Sequence, residues 1–112
     1  MTIRDRVKTI QKELRGPGDL LPSRGAKLLT EATALLGNIN DELRAADLEY
    51  KQILLASMKE HKAASRARIE AETSPQYVRR MEAQHTKELA VEMIHSLKAF
   101  LRTKQEEMRL TQ

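Results

Sequence analysis

Apolar residues recur every three or four positions along most of this chain, which is the spacing of a helix face rather than of a strand. From Ala26 to about Ala71 the pattern is helical, and from Leu36 to Ala71 it runs through five seven-residue repeats. The pattern predicts one long helix over these residues, with Gly37 as its weak point because Gly costs about 1 kcal/mol in a helix interior. A kink or short break at Gly37 is the alternative to a continuous helix. The seam consists of Leu36, Ile39, Leu43, Ala46, Tyr50, Ile53, Ser57, Glu60, Ala64, Ala67 and Ala71.

A turn interrupts the pattern near residues 72–75. Ser74 is a good helix N-cap and Pro75 a good first helical residue. Proline also disfavours helical geometry at the residue before it, so the arriving helix should stop here. We therefore expect a second helix, from Pro75 to about Leu110, that folds back along the first as a long antiparallel, coiled-coil-like hairpin.

The apolar stripe of the second helix widens towards its C-terminal end. One face is marked by Tyr77, Met81, His85, Leu89, Met93, Leu97 and Leu101. Two helices cannot cover so wide a stripe, which predicts a bundle completed by the N-terminal segment or by other copies of the chain. The residues predicted to contact a partner or a second copy are Leu89, Met93, Leu97, Phe100 and Leu101.

The first arm changes character after Ile53, where small and polar residues replace Leu and Ile in the seam. Small residues bury little area, so the turn end of the hairpin should be the less stable end. Glu60 is an unusual seam residue, and we expect it either to be exposed or to set the register by pairing with His85, Arg79 or Lys87.

The first 25 residues form a separate segment. Residues 2–15 predict a basic amphipathic helix, whose apolar face is Ile3, Val7, Ile10 and Leu14. Residues 16–25 are a Gly- and Pro-rich linker, so the expected organisation is 1–25 followed by a hairpin over 26–112. A helix this short is marginally stable alone in water, so it needs a surface on which to dock. The alternatives for that surface are its own bundle, a nucleic acid, a partner protein and a membrane.

Composition narrows the class of protein. The 112 residues include no Cys, no Trp and only one Phe, while 32% are charged. Disulfides and thiolate metal sites are excluded, and long exposed helices fit better than a compact core. The apolar runs are too short to span a membrane and the start lacks a signal-peptide core. We expect a soluble cytoplasmic protein.

Positive charge is concentrated in the N-terminal segment, where residues 1–27 carry seven bases and three acids, and around the turn. The net charge is +4, and residues 59–87 alone carry seven bases against four acids. Such an array can bind the phosphates of a nucleic acid, while a solvated helix face is the alternative. The predicted phosphate contacts are Lys59, Lys62, Arg66, Arg68, Arg79 and Arg80.

Motifs for catalysis, metals or cofactors are weak. Glu82 and His85, and likewise Glu92 and His95, have the Glu-x-x-His spacing of di-iron bundles, but both pairs lie on one helix. Gly16-Pro17-Gly18 lacks the ending of a phosphate loop. We expect no enzyme activity, no cofactor, no metal and no small-molecule substrate.

One resemblance adds context. Ala71-Glu72-Thr73-Ser74-Pro75-Gln76-Tyr77, together with Met93-Ile94-His95-Ser96-Leu97-Lys98 and Leu101-Arg102, resembles small uncharacterised helical accessory proteins of tailed bacteriophages. It covers about residues 43–110 and brings no functional residues with it. The resemblance implies a small accessory protein that handles phage DNA or assembly and, if it is phage-encoded, lies in the host cytoplasm. The sequence thus predicts an all-α, nucleic-acid-associated accessory protein, with a protein–protein adaptor or assembly component as the alternative.

Overall fold

Four helices account for most of the chain. The structure, a computed structural model, describes residues 2–16, 18–61 and 63–111. These residues form α1 (Ile3–Arg15), α2 (Pro22–Glu60), α3 (Ala64–Glu72) and α4 (Pro75–Leu110), with no strand among them. Since α2 packs against α4, the predicted all-α helical hairpin is confirmed. The chain divides into two compact units, unit 1 (Met1–Asn38 with Lys87–Gln112) and unit 2 (Ile39–Thr86).

In unit 1, the N-terminal helix docks on its own chain. A capping box starts α1: Thr2 Oγ1 accepts from the Asp5 backbone N–H and the Asp5 carboxylate accepts from the Thr2 N–H, each at 3.1 Å. Val7 and Ile10, on the predicted apolar face, are buried. The Arg24 guanidinium forms two bonds to the Glu13 carboxylate, at 2.5 and 2.8 Å. Of the four surfaces considered for this helix, it docks on the one provided by its own chain.

The core of unit 1 is made by facing segments of α2 and α4. It contains Leu28, Ala32 and Leu35 from α2 and Ala90, Met93, Ile94 and Leu97 from α4. The helices approach closely at Gly25, where a Cβ would lie only 2.9 Å from the Phe100 ring. The predicted start of this helix at Ala26 is wrong by four residues. The helix begins at Pro22, because proline is well suited to the first position of a helix. Gly37 lies inside the continuous α2, so no break occurs there.

In unit 2, α2 and α4 run antiparallel. The rings of Tyr50 and Tyr77 lie 5.4 Å apart between centroids. Three residues earlier on α2, Asp47 meets Arg80, which is three residues later on α4, at 2.8 Å. Opposite shifts along the two helices are what an antiparallel register requires. The core here is built mostly from small side chains, namely Ala46, Ser57, Ala67, Ala71, Ala83 and Thr86.

The turn between α3 and α4 has the predicted chemistry. Pro75 is the first residue of α4, and Ser74 Oγ accepts from the Tyr77 backbone N–H at 3.3 Å. Thr73 ends α3 with its N–H directed at the carbonyls of the last turn. A stop signal followed at once by a start signal therefore forms the bend where it was expected.

The continuous helix predicted from Ala26 to Ala71 is wrong. It ends at Glu60, and α3 begins at Ala64 after an extended residue, Ala63 (φ −92°, ψ 123°). Glu60 is exposed, which is one of the two outcomes expected for it. Ala64, predicted on the seam, is exposed as well, because both residues flank this interruption. The seam holds on either side of it.

The predicted face of α4 is also wrong in its N-terminal half. Met81 and His85 are exposed, whereas Ala83, Thr86 and Ala90 are buried. The prediction followed the larger side chains along the heptad. The small ones fit between closely packed helices, and that requirement decides which face of α4 turns inward.

Candidate functional site

The basic turn residues do not act as one free array. Arg79 lies 2.6 Å from Glu49, and Arg80 lies 2.8 Å from Asp47 with its guanidinium 5.0 Å above the Tyr50 ring. These two cations hold α4 against α2 within unit 2. Their charge is largely matched by the carboxylates they contact.

Three of the other predicted phosphate contacts are free. Lys59, Arg66 and Arg68 are exposed and make no salt bridge to any residue that the structure describes. Arg66 and Arg68 are about 200° apart around α3, so they point to different sides of it. Lys62, the remaining prediction, lies outside the described residues. The basic surface that remains consists of separated cations around the ends of α2 and α3.

The predicted partner residues of α4 lie mostly inside unit 1. Leu97 is fully buried and Met93 nearly so, while Leu89, Phe100 and Leu101 are half-buried. The broad stripe is covered by α1 and α2 of the same chain, so these five residues do not form an open apolar surface. A helix from another copy of the chain, one of the two expected ways to complete the bundle, is not needed to bury Leu97.

A groove remains beside this stripe in unit 1. It has a volume of about 620 Å³ and lies between the second half of α1 and α4. Leu14 and Leu20 line one side, and Leu89, Met93 and Phe100 line the other. Three of the predicted partner residues therefore line a concave surface.

An exposed apolar surface of unit 2 lies on α2 and was not predicted from the sequence. Leu48 is 59% exposed, Leu55 56% and Met58 51%. Leu48 is two residues from both Ala46 and Tyr50, which are buried, and two residues correspond to about 200° of rotation. Leu48 and Leu55 therefore lie on the side of α2 opposite its core, and Met58 lies about 60° further round, beside Leu55. We call these three side chains the outer stripe. The signal in the sequence was an apolar residue two positions after a seam residue, at Leu48 and again at Leu55.

Unit 2 as a whole buries small side chains and exposes large ones. Among its described residues the exposed large apolar side chains are Leu48, Leu55, Met58, Ile69, Val78 and Met81. Its buried positions are largely Ala, Ser and Thr. Such a distribution leaves much of the available hydrophobic stabilisation unused within the chain.

A third cluster lies at the interruption between α2 and α3. Glu60, His61 and Glu70 each offer one ligand atom, and these atoms all lie within 4.8 Å of one another. The His61 imidazole contacts the Glu70 carboxylate through Nε2. The sequence analysis overlooked His61, because in a continuous helix it would have lain far from Glu70.

The Glu-x-x-His groups of α4 are not brought together with other ligands. Glu82, His85, Glu92 and His95 are all exposed, and among the described residues none of them belongs to a cluster of three ligating side chains. The pairing of Glu60 with His85 that was considered from the sequence does not occur either. Glu60 instead faces His61 and Glu70.

Comparison of the chain with protein-family models, curated proteins and solved structures gives no match. The resemblance to phage accessory proteins therefore stays a prediction. None of the described helices has both the length and the apolar content that crossing a membrane requires.

Proposed function

We propose that this chain is a non-enzymatic assembly protein that pairs with a second copy of itself through the outer stripe of α2. The observation that carries the proposal is the exposure of Leu48, Leu55 and Met58, each more than half exposed. The two leucines lie on the side of α2 opposite its core. Large apolar side chains gathered on one exposed part of a helix favour contact with another molecule. This is the assembly alternative of the sequence analysis, moved from α4 to a different helix.

A second copy fits this surface better than a strongly charged partner. The residues flanking the stripe include two acids and two bases, Asp41 and Asp47 with Arg44 and Lys51. The surface therefore has no charge of one sign that would repel its own copy. Leu48 and Leu55 are seven residues apart, the spacing at which one helix packs against another along a seam. A two-fold axis lets the same stripe serve on both sides.

Sedimentation velocity of the full chain over a range of concentrations tests this proposal. The wild-type protein is expected to shift from monomer to dimer. The double variant Leu48→Glu/Leu55→Glu should weaken dimerisation by at least about tenfold, because two largely apolar contacts are lost. Leu110→Glu is the matched control, since Leu110 is exposed and apolar but lies at the end of α4.

Either of two results would contradict the proposal. One is a wild-type protein that stays monomeric at the highest soluble concentration. The other is a double variant that dimerises as strongly as the Leu110→Glu control. Far-UV circular dichroism of both variants establishes that the helices are retained.

A second candidate function is binding to nucleic acid. It is supported by Lys59, Arg66 and Arg68, exposed cations without a salt bridge among the described residues. Phosphate contacts of this kind give an affinity that falls steeply with salt. Titration into labelled duplex and single-stranded DNA at several salt concentrations should show that dependence.

The charge reversal Arg66→Glu/Arg68→Glu separates the two functions. If these residues contact phosphates, the slope of log affinity against log salt should decrease by roughly 2. Lys98→Glu is the control, because Lys98 is an exposed cation on α4 in unit 1. Equal slopes for the variant and the control, or no binding at low salt, would exclude this candidate.

A further inference from the structure

We propose that Glu60, His61 and Glu70 bind a divalent transition-metal ion that ties the end of α2 to α3. The cluster offers one imidazole nitrogen and two carboxylate oxygens, all within 4.8 Å of one another. The three residues lie within unit 2. None of them belongs to the outer stripe or to the predicted phosphate contacts, although Glu60 directly follows Lys59. The proposal does not rest on self-association or on nucleic-acid binding.

The first support is that the fold, and not the sequence order, assembles these ligands. In a continuous helix, His61 and Glu70 would be separated by about 900° of rotation and about 13.5 Å along the axis. They would then point to opposite sides. Because the helix is interrupted between α2 and α3, the two side chains instead meet, and His61 Nε2 contacts the Glu70 carboxylate.

The second support is that the interruption has no local cause in the sequence. Residues 57–66 contain neither Gly nor Pro, and they include good helix formers. Ala63 stands at the start of α3 without a side-chain hydrogen bond to cap it. An uncapped helix start is less stable than a capped one. A departure from the local preference of the chain needs compensation elsewhere, and such departures concentrate at functional sites.

The position of His61 explains how neighbouring residues can share one ion. Adjacent residues inside a helix point about 100° apart and do not face each other. Here Glu60 is the last residue of α2, and His61 follows it while its N–H still bonds the Ser57 carbonyl at 3.0 Å. The imidazole is half-buried and the carboxylates are exposed, so both carboxylates can adjust around a nearly fixed nitrogen.

The donor set selects the class of metal. A nitrogen with two carboxylate oxygens suits Zn²⁺, Co²⁺ or Mn²⁺ rather than Cu(I), which prefers sulfur, or Ca²⁺, which takes six to eight oxygens. Zinc binds nitrogen and oxygen at about 2.0–2.2 Å in tetrahedral geometry, so two ligand atoms of one ion lie about 3.3–3.6 Å apart. Ligand atoms that lie within 4.8 Å of one another must therefore close by up to about 1.5 Å, and side-chain rotation of the exposed carboxylates supplies that movement. Water would complete the coordination.

Metal binding also sets the state of the imidazole. For Nε2 to bind the ion, the ring must carry its proton on Nδ1. The Glu70 carboxylate, which contacts Nε2 in the structure, would then turn to the ion as a second ligand. The ion thus replaces a single side-chain contact between the α2 end and α3 by three bonds through one centre.

Titration of the untagged full chain with Co²⁺ and Zn²⁺ tests the site. We expect one ion per chain, visible as d–d absorption for Co²⁺ and as heat of binding for Zn²⁺. His61→Gln and Glu70→Gln should each weaken binding at least about tenfold. His85→Gln and His95→Gln are matched controls, because both residues are exposed histidines on α4 outside the cluster, and they should bind like the wild type.

A second measurement follows the structure instead of the affinity. Amide hydrogen exchange of α3 should slow when Zn²⁺ is added, because the ion holds α3 to the end of α2. The same addition should leave exchange in α3 of the His61→Gln variant unchanged. Absence of binding to the wild type, equal binding by His61→Gln, or loss of binding in His85→Gln would each overturn the proposal.

Discussion

Arg80 and Asp47 join α4 to α2 within unit 2, with 2.8 Å between Arg80 Nε and Asp47 Oδ1. Asp47 also accepts a contact from Lys51, one turn along α2, at 2.9 Å. The hydrogen bond from Lys51 lowers the pKa of Asp47 below its usual value. The charges of Lys51 and of Arg80 act in the same direction, while desolvation opposes them. A residue predicted from its charge to contact phosphate is therefore engaged in setting the register of the hairpin.

This relationship predicts an acid-sensitive contribution to stability. Because the pKa of Asp47 is lower in the folded chain, its contribution is complete above the unfolded pKa of about 3.9. It is lost as the pH falls through the folded pKa. Asp47→Asn should lower the free energy of unfolding at pH 7 by about 0.3–1 kcal/mol and flatten its decline below pH 4.

Urea unfolding between pH 2 and pH 7 measures this effect. Asp41→Asn is the control, because Asp41 is exposed on the same helix and makes no ion pair with a described residue. If both variants keep the slope of the wild type in acid, Asp47 does not contribute in the way the structure indicates.

Two glycines of α2 should respond in opposite directions to substitution by alanine. At Gly37 a Cβ would meet no atom within 4 Å, so Gly37→Ala removes the cost of glycine in a helix and should stabilise by about 0.5–1 kcal/mol. At Gly25 a Cβ would lie 2.9 Å from the Phe100 ring and 3.3 Å from Leu101 Cδ2. Gly25→Ala should therefore destabilise unit 1 by about 1–3 kcal/mol.

Thermal unfolding compares the two glycine variants directly. A gain of about 1 kcal/mol corresponds to an increase of roughly 4 °C or more in Tm for a domain of this size. A Tm for Gly25→Ala equal to or above that of Gly37→Ala would show that α2 and α4 are not in close contact at Gly25.

Leu97 should contribute to the stability of the fold and not to contact with a partner. It is fully buried in unit 1, so Leu97→Ala should cost about 2–5 kcal/mol, depending on how far the cavity collapses. Leu110 is 87% exposed, and Leu110→Ala should change the free energy of unfolding by less than about 0.5 kcal/mol. Urea unfolding curves measure both.

The comparison of Leu97 with Leu110 also shows why position 97 is unsuitable for testing assembly. An acidic residue at position 97 would unfold unit 1 and abolish association for that reason alone. If Leu97→Ala proved as mild as Leu110→Ala, the α4 stripe would have to be reconsidered as an open surface.

Local signals determined much of this protein. The three-and-four spacing of apolar residues specified helices, and Ser74 with Pro75 specified where the last one begins, since caps and proline act through the nearest few residues. The seam of α2 was predicted at Ile39, Ala46 and Tyr50, all buried. These features need no knowledge of distant parts of the chain.

The tertiary structure alone decided what depends on distant residues. The interruption after Glu60 has no local breaker, and it brings His61 to Glu70. Close helix packing selected Ala83 and Thr86 over Met81 for the inner face of α4. Pairing of Arg80 with Asp47 turned a predicted ligand contact into an internal one. Periodicity says which residues share a face, but only the neighbouring helix determines which face is inside and which charges are already matched.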